Sequence, residues 1–116
     1  MNLSETRRLM LQNKAFWHIP FMDFVDEFRR SKDISQLKPL SHQNERYDAL
    51  LASTIEYICN EPPQCAPPGW VYYIPECSEP WFVAGIESLK AISLVESPVW
   101  FRRRQIFVLE NFLSRV

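Results

Sequence analysis

Apolar positions recur at helical spacing through the first half of the chain. The longest pattern predicts a helix over residues 42–60, and its buried face would consist of Tyr47, Leu50, Leu51, Thr54, Ile55 and Ile58. Ser41 is placed to cap the start of this helix. A second helix is expected from Phe21, Phe24, Val25 and Phe28, and Pro20 either ends the preceding element or opens this one. Its acidic residues come first and its basic residues last, an order that complements the helix dipole.

The N-terminal segment Asn2–Ala15 also fits a helix, for which Ser4 is the expected N-cap. The chain changes character after residue 60. Six of the nine prolines lie in residues 61–80, so a regular helix cannot run through this segment. The same segment holds Trp70 and the run Val71–Ile74. Because a linker between domains is usually polar, we expect this aromatic segment to cross the helical core as an ordered strap.

Helical periodicity returns over residues 81–96, with an expected buried face of Phe82, Ile86, Leu89 and Ile92. Ser97 is then expected as an N-cap, with Pro98 at the first helical position. The residues that follow, Val99–Arg104, are expected to form a short basic helix. Ile106–Val108 fits either a short strand or a continuation of that helix. A final apolar turn is expected from Leu109, Phe112, Leu113 and Val116.

These elements predict a mainly α fold. The 116 residues fit one domain, residues 1–116, and a hydrophobic fraction of 47% is enough for a packed core. We expect a compact irregular or orthogonal bundle of four to six helices, crossed by the strap. An α+β alternative would pair two short strands, Val71–Ile74 and Ile106–Val108.

Composition excludes several classes of function. With only two glycines, the chain has no Gly-rich phosphate loop and no dinucleotide-binding fingerprint. A net charge of −1 argues against a general nucleic-acid binder, which usually has a basic excess. No apolar stretch approaches the roughly 18 residues that a membrane span needs, and no signal peptide is expected because charges interrupt the first eleven residues.

The residues that usually carry metal binding or catalysis are sparse. The three cysteines, Cys59, Cys65 and Cys77, lack the close pairing of structural zinc ligands, so no metal site is predicted. Their odd number favours reduced thiols in the cytoplasm, although a Cys65–Cys77 disulfide remains geometrically possible. His18 and His42 are interpreted as packing or capping residues. No cofactor and no catalytic residue are therefore predicted.

Three consecutive arginines, Arg102, Arg103 and Arg104, form the most distinctive polar feature. Successive helical residues point about 100° apart, so at least two of them should be exposed or paired. They could pair within the chain (with Glu79, Glu87 or Glu96), meet an acidic patch on a protein partner, or contact nucleic-acid phosphates. Aromatic residues and arginine are enriched at protein interfaces. The predicted partner-binding residues are therefore Trp70, Trp81, Trp100, Arg102, Arg103 and Arg104.

The C-terminal third of the chain resembles a group of small uncharacterised bacterial proteins. The resemblance covers residues 79–116 and rests on Glu79-Pro80-Trp81-Phe82, Glu96-Ser97-Pro98, Phe101-Arg102-Arg103-Arg104 and Ile106-Phe107-Val108. Some of these proteins are encoded beside nucleotidyltransferase-like proteins, in an arrangement similar to toxin–antitoxin pairs. The resemblance implies a bacterial protein without catalytic activity that binds a partner chain.

These observations predict a non-enzymatic, cytoplasmic protein-binding module of antitoxin or accessory type. It would dock a partner protein, or a second copy of itself, through an aromatic and arginine surface, with no role for a membrane or a metal. The alternative is a nucleic-acid-binding regulator that uses residues 97–105 on phosphates. An enzyme would instead need a pocket where His18 or His42 meets a carboxylate or a cysteine.

Overall fold

The computed structural model describes residues 2–114 and confirms a mainly α fold. Five α-helices lie in this part of the chain: α1 (Leu3–Gln12), α2 (His18–Ser31), α3 (Glu45–Asn60), α4 (Lys90–Glu96) and α5 (Val99–Arg102). Four short 3-10 helices connect them, at Lys14–Phe16, Ile34–Gln36, Gly69–Tyr73 and Glu87–Leu89. Two short strands, β1 (Trp81–Phe82) and β2 (Ile106–Phe107), complete the structure. The molecule measures 39 × 32 × 29 Å along its principal axes.

The first two helices form where the apolar pattern predicts them, but their starts differ. Asn2 rather than Ser4 caps α1, because its side-chain oxygen accepts a hydrogen bond from the Glu5 amide at 2.7 Å. The second helix begins at His18, so Pro20 lies in its first turn, where a missing N–H costs nothing. All four residues of its predicted apolar face, Phe21, Phe24, Val25 and Phe28, are buried.

Helix α3 is the centre of the fold, since twelve of its sixteen residues are buried. It begins at Glu45, three residues later than the predicted start at residue 42. Asn44 is its cap, accepting a hydrogen bond from the Tyr47 amide at 2.9 Å. Ser41, the predicted cap, instead accepts hydrogen bonds from the Arg7 guanidinium through its carbonyl and its hydroxyl.

The single helix predicted over residues 81–96 is wrong in its first half. The Trp81 amide donates to the Gln105 carbonyl at 2.8 Å and the Val83 amide to the Phe107 carbonyl at 3.2 Å. These bonds hold the segment extended as β1, and α4 begins only at Lys90. Two residues of the predicted buried face are therefore exposed, Ile86 at 55% and Ile92 at 48%.

The predicted start of the next helix also needs correction. Pro98 is the N-cap of α5, and its carbonyl accepts from the amides of Phe101 and Arg102 at 3.1 and 3.0 Å. Ser97 is buried and has another role. Its hydroxyl donates to the Ile106 carbonyl at 3.0 Å and accepts from the Val108 amide at 3.3 Å. The side chain of Ser97 thus ties the end of α4 to β2.

The two strands pair in parallel, with Trp81 opposite Ile106 and Phe82 opposite Phe107. The α+β alternative placed a strand at Ile106–Val108 correctly but gave it the wrong partner. Val71–Tyr73 is 3-10 helical and makes no strand, since the Ile74 amide donates back to the Val71 carbonyl at 3.2 Å. The strap, residues 61–80, nevertheless packs into the core through Val71, Ile74 and Cys77.

A cluster of aromatic rings joins the N-terminal and C-terminal elements. The Trp17 ring lies 5.5 Å from Phe21, 5.9 Å from Tyr47 and 6.1 Å from Trp81. Leu113 of the predicted final turn is buried, whereas Val116 lies outside the described residues. Within residues 2–114, no helix combines the length and the apolar character needed to cross a bilayer.

Candidate docking surface and the adjoining cleft

Helix α4 presents its apolar side chains to solvent. Of its seven residues only Ser93 is buried, and the Ser93 hydroxyl donates to the Leu89 carbonyl at 2.8 Å. Val95 is 79% exposed, and Ile92 and Leu94 are each about half exposed. The helix therefore rests on the protein through one small residue and turns its large apolar residues outward. This is the reverse of the usual burial pattern of a surface helix.

Helix α5 extends this apolar face. Val99 is half exposed, and the Arg102 guanidinium donates to the carbonyls of Val95 at 3.1 Å and Ser97 at 2.8 Å. These bonds satisfy carbonyls at the C-terminal end of α4, where a cation is also favoured by the helix dipole. Arg102 thereby fixes α4 relative to α5. We call the face formed by Ile92, Leu94, Val95, Val99 and Arg102 the α4–α5 surface.

Next to it, an open cleft of about 360 Å³ lies between the end of α3, the beginning of the strap and α5. Trp100 forms one side and packs edge-to-face against Tyr57, with ring centroids 5.7 Å apart. Arg103 also lines it, with its guanidinium 3.6 Å from the Glu56 carboxylate and its side chain 57% exposed. We call this the Cys65 cleft; it is lined by Glu56, Cys59, Asn60, Gln64, Cys65, Pro67, Tyr72, Trp100 and Arg103.

Arg104 does not lie on the surface, contrary to the expectation that it contacts a partner. Its side chain is only 8% exposed and pairs with Glu56 at 2.6 Å. Its remaining donors reach the Ile74 carbonyl at 3.2 Å, the Val71 carbonyl at 2.8 Å and the Ser53 hydroxyl at 3.2 Å. Since these donors are directed into the protein, Arg104 holds the strap against α3 and is not available to a partner.

Two of the three acidic residues predicted as intramolecular partners of the arginine run, Glu87 and Glu96, have other contacts. Glu87 pairs with Lys90 at 2.9 Å, and the Glu96 carboxylate accepts from the Glu110 amide at 3.0 Å. Glu56 pairs instead with both Arg103 and Arg104.

Trp81 and Trp70 lie apart from Trp100, although all three are predicted to share one surface. Trp81 belongs to the aromatic cluster described above, and the Arg46 guanidinium lies 5.5 Å from its ring centroid. The Trp70 indole N–H donates to the Leu37 carbonyl at 3.0 Å. Among residues 2–114, no ring-to-ring contact links either side chain to Trp100. Of the predicted partner-binding residues, Trp100 and Arg103 line the Cys65 cleft, and Arg102 belongs to the α4–α5 surface.

The cysteines form one pair and one isolated thiol. The Cys65 amide donates to the Cys59 carbonyl at 2.9 Å, and both cysteines line the Cys65 cleft. Burial, reinforced by the neighbouring Cys65 side chain, raises the pKa of Cys59 to about 12. Cys77 lies elsewhere, where burial raises its pKa to about 11, so Cys65 is paired with Cys59 and not with Cys77. No group of His, Cys, Asp and Glu within residues 2–114 is arranged to hold a metal ion.

His42 lies near two carboxylates. It lines a hollow of about 250 Å³ with Glu45 and Asp48. One Asp48 oxygen accepts from Arg7 at 2.8 Å, and the other accepts from the amides of Gln43 and Asn44 at 3.1 and 3.2 Å. Both oxygens of this buried carboxylate are thus engaged in fixing the start of α3. His18 is exposed and makes an edge contact with the Trp17 ring at 6.2 Å.

Glu56 is not among the residues predicted from the sequence, although the sequence carries a signal for it. Residues 47–59 are so uniformly apolar or small that a helix there must be buried on most sides. A carboxylate at position 56 of such a helix needs a buried cationic partner, because an unpaired buried charge is very costly. The exposure of α4 had no comparable signal, since its composition is that of an ordinary buried helix.

Comparison of the chain with protein-family models, with curated proteins and with solved structures finds no match.

Proposed function

We propose that the protein is a non-enzymatic protein-binding module whose α4–α5 surface docks onto an apolar patch bordered by carboxylates on a partner protein. The observation that carries this proposal is the outward orientation of Ile92, Leu94 and Val95 on a helix that buries only Ser93. Contiguous exposed apolar surface on a small protein is typical of interaction sites. Burying one such side chain is worth about 1.5–3 kcal/mol, so a few of them suffice to drive association.

The α4–α5 surface is also preorganised for binding. The two hydrogen bonds from Arg102 to α4 and its C-cap residue fix the short helix before a partner arrives. A preorganised surface loses less conformational entropy when it binds. Trp100 and Arg103 line the Cys65 cleft next to the apolar residues. Tryptophan and arginine often contribute most of the binding energy at protein interfaces.

Charge favours an acidic border on the partner. Arg103 is 57% exposed even though it lies near Glu56, so it remains able to meet a second carboxylate. Such pairs at the rim contribute more to specificity and association rate than to affinity. The nucleic-acid alternative has weaker support, because Arg104 is withdrawn into the interior and the two remaining arginines border an apolar face.

The resemblance of residues 79–116 to bacterial proteins, some from loci similar to toxin–antitoxin pairs, fits the same proposal. In an antitoxin or accessory role the mechanism would be steric, with the module covering a partner's active site or fixing an assembly. We further propose that it acts in the cytoplasm, where cysteines are normally kept reduced.

The test is to purify the untagged protein from its native host, identify any co-purifying protein by mass spectrometry, and reassemble the complex from two pure components. Val95→Asp should then weaken the measured Kd by roughly tenfold or more, since it puts a charge into an apolar contact. Ile19→Asp is the matched control, because Ile19 is 54% exposed on α2 and should leave Kd within about twofold.

The outcomes separate the alternatives. An equal effect of both variants, or recovery of a lone monomer, would contradict the proposal. If the isolated chain forms a dimer and Val95→Asp dissociates it, the partner is a second copy of this chain. Affinity for nucleic acid that falls steeply with salt and weakens on Arg102→Gln and Arg103→Gln, with no effect of Val95→Asp, would favour the regulator instead.

A further inference from the structure

We propose that Cys59 and Cys65 form a reversible disulfide, and that the Cys65 cleft is the site at which a small disulfide such as glutathione disulfide reacts. Cys59 lies in the last turn of α3, and the chain returns to it six residues later. The Cys65 amide donates to the Cys59 carbonyl at 2.9 Å, and both cysteines line the same cleft. A direct backbone hydrogen bond holds two residues at about the separation that a disulfide spans, so side-chain rotation can bring the two sulfurs together.

The loop between the cysteines is held in place from outside. Glu61 accepts two hydrogen bonds from the Arg29 guanidinium, at 2.9 and 3.0 Å. The Lys32 ammonium donates to the carbonyls of Glu61 and Pro63, the latter at 2.9 Å. These contacts keep the two thiols together in the reduced protein, so little chain entropy remains to be lost on closing the ring.

The two thiols differ in access. Both cysteines line the cleft, but Cys59 is buried in its wall whereas Cys65 is partly exposed. Because Cys65 is the more accessible of the two, we assign it as the attacking thiol and the buried Cys59, whose pKa is raised by burial, as the resolving thiol. Arg103, on the wall of the same cleft, can pair with a carboxylate of glutathione. Exposed thiolate, neighbouring cation and resolving thiol together are the features of a reactive dithiol.

The reaction balances with glutathione disulfide as the oxidant. The Cys65 thiolate attacks one sulfur of glutathione disulfide, forming a mixed disulfide and releasing a glutathione thiolate. Cys59 then loses its proton and attacks the Cys65 sulfur, which breaks the mixed disulfide and releases the second glutathione thiolate. The two protons from the cysteines end on the two glutathione molecules, and the two electrons reduce the glutathione disulfide.

The experiment uses the full-length Cys77→Ser protein in buffers of defined glutathione ratio, followed by acid quenching, alkylation and intact mass measurement. We expect the monomer to lose both alkylatable thiols and the mass of two hydrogens as the buffer becomes oxidising, and to regain them with dithiothreitol. In the same background, Cys59→Ser should stop at a mixed disulfide on Cys65. Cys65→Ser should stay unmodified, because Cys59 is buried.

If Cys77→Ser does not fold, the wild-type protein provides the same answer. Chymotrypsin cleavage after Tyr57 and Trp70 gives a peptide, residues 58–70, that contains Cys59 and Cys65 but not Cys77. This peptide should carry the internal disulfide. The proposal is overturned if oxidation ends at a mixed disulfide in the protein that retains both cysteines, or yields only disulfide-linked dimers. Arg103→Gln should slow reaction with glutathione disulfide several-fold but not reaction with uncharged hydroxyethyl disulfide; equal effects would remove Arg103 from the site.

Discussion

Arg104 and Glu56 form an ion pair inside the protein, 2.6 Å apart, with side chains 8% and 4% exposed. The pair joins the turn after α5 to the middle of α3. Because Arg104 also donates to the carbonyls of Val71 and Ile74, one guanidinium connects α3, the strap and the C-terminal segment. The rigid fork of an arginine suits this role, since it offers five donors in fixed directions.

Breaking this pair should strongly destabilise the fold. Arg104→Met removes the cation and leaves the Glu56 carboxylate buried beside Arg103 alone, so we expect a loss of about 3–5 kcal/mol in the free energy of unfolding. Urea unfolding followed by tryptophan fluorescence would measure it. Arg8→Met is the matched control, because its ion pair with Glu5 is exposed to solvent and its loss should leave the unfolding midpoint nearly unchanged.

The double variant Glu56→Leu with Arg104→Met sharpens the test. If the cost comes from an uncompensated charge, replacing both members by apolar residues should recover most of the lost stability. A double variant no more stable than Arg104→Met would instead attribute the cost to the lost hydrogen bonds to the strap.

The sequence predicted those elements whose signal is local. The face formed by Phe21, Phe24, Val25 and Phe28 is buried as expected, because 3.6-residue spacing directly reports which side of a helix meets the core. The sequence allows Pro20 either to end the preceding element or to open the helix, and the structure places this proline in the first turn of α2.

The errors come from non-local hydrogen bonds. Residues 81–83 have an apolar spacing that fits a helix, but their amides pair with carbonyls near β2, more than twenty residues later. Ser97 likewise looks like an N-cap from its position before Pro98, yet its hydroxyl bonds to Ile106. Local sequence cannot show such partners. The candidate site shares this limit, since the burial of Arg104 depends on Glu56, 48 residues away.

The buried hydroxyl of Ser97 gives a second prediction. Ser97→Ala removes both the donor to the Ile106 carbonyl and the acceptor for the Val108 amide. Leaving buried polar groups unpaired costs about 1–3 kcal/mol, and urea unfolding should detect a loss of that size. Ser78→Ala is the control, because Ser78 is exposed and its hydroxyl donates to the Glu45 carboxylate at 3.0 Å. Equal stabilities of the two variants would show that Ser97 is not a structural tie.

Substitution by alanine should change the stability of the protein in opposite directions at the two glycines. Gly85 has a φ of +69°, a left-handed conformation that costs a residue with a side chain about 1 kcal/mol, so Gly85→Ala should destabilise the protein. Gly69 has no positive φ and no atom within 4 Å of an added Cβ. Gly69→Ala should therefore be neutral or stabilise by about 0.4–1 kcal/mol through the unfolded state. Thermal unfolding of both variants would check the difference, and a reversed order would contradict it.

Stability should decline at alkaline pH because of the buried thiols. Burial raises the pKa of Cys77 from 9.0 to about 11, so the folded protein holds this proton more tightly than the unfolded chain does. The resulting stabilisation is complete below pH 9 and is lost as the pH rises towards the folded pKa, at about 1 kcal/mol per pH unit.

The variant Cys77→Ala isolates this contribution from the titration of lysines and tyrosines. The variant loses packing, which lowers its free energy of unfolding by the same amount at every pH. It also has no thiol at position 77, so the pH-dependent contribution of that thiol is absent. In urea unfolding with a phosphine reductant, the wild-type protein should be the more stable at about pH 8, and the gap should narrow by about 1 kcal/mol at about pH 10. A gap that stays constant between these two pH values would show that the Cys77 thiol does not change its proton affinity on folding.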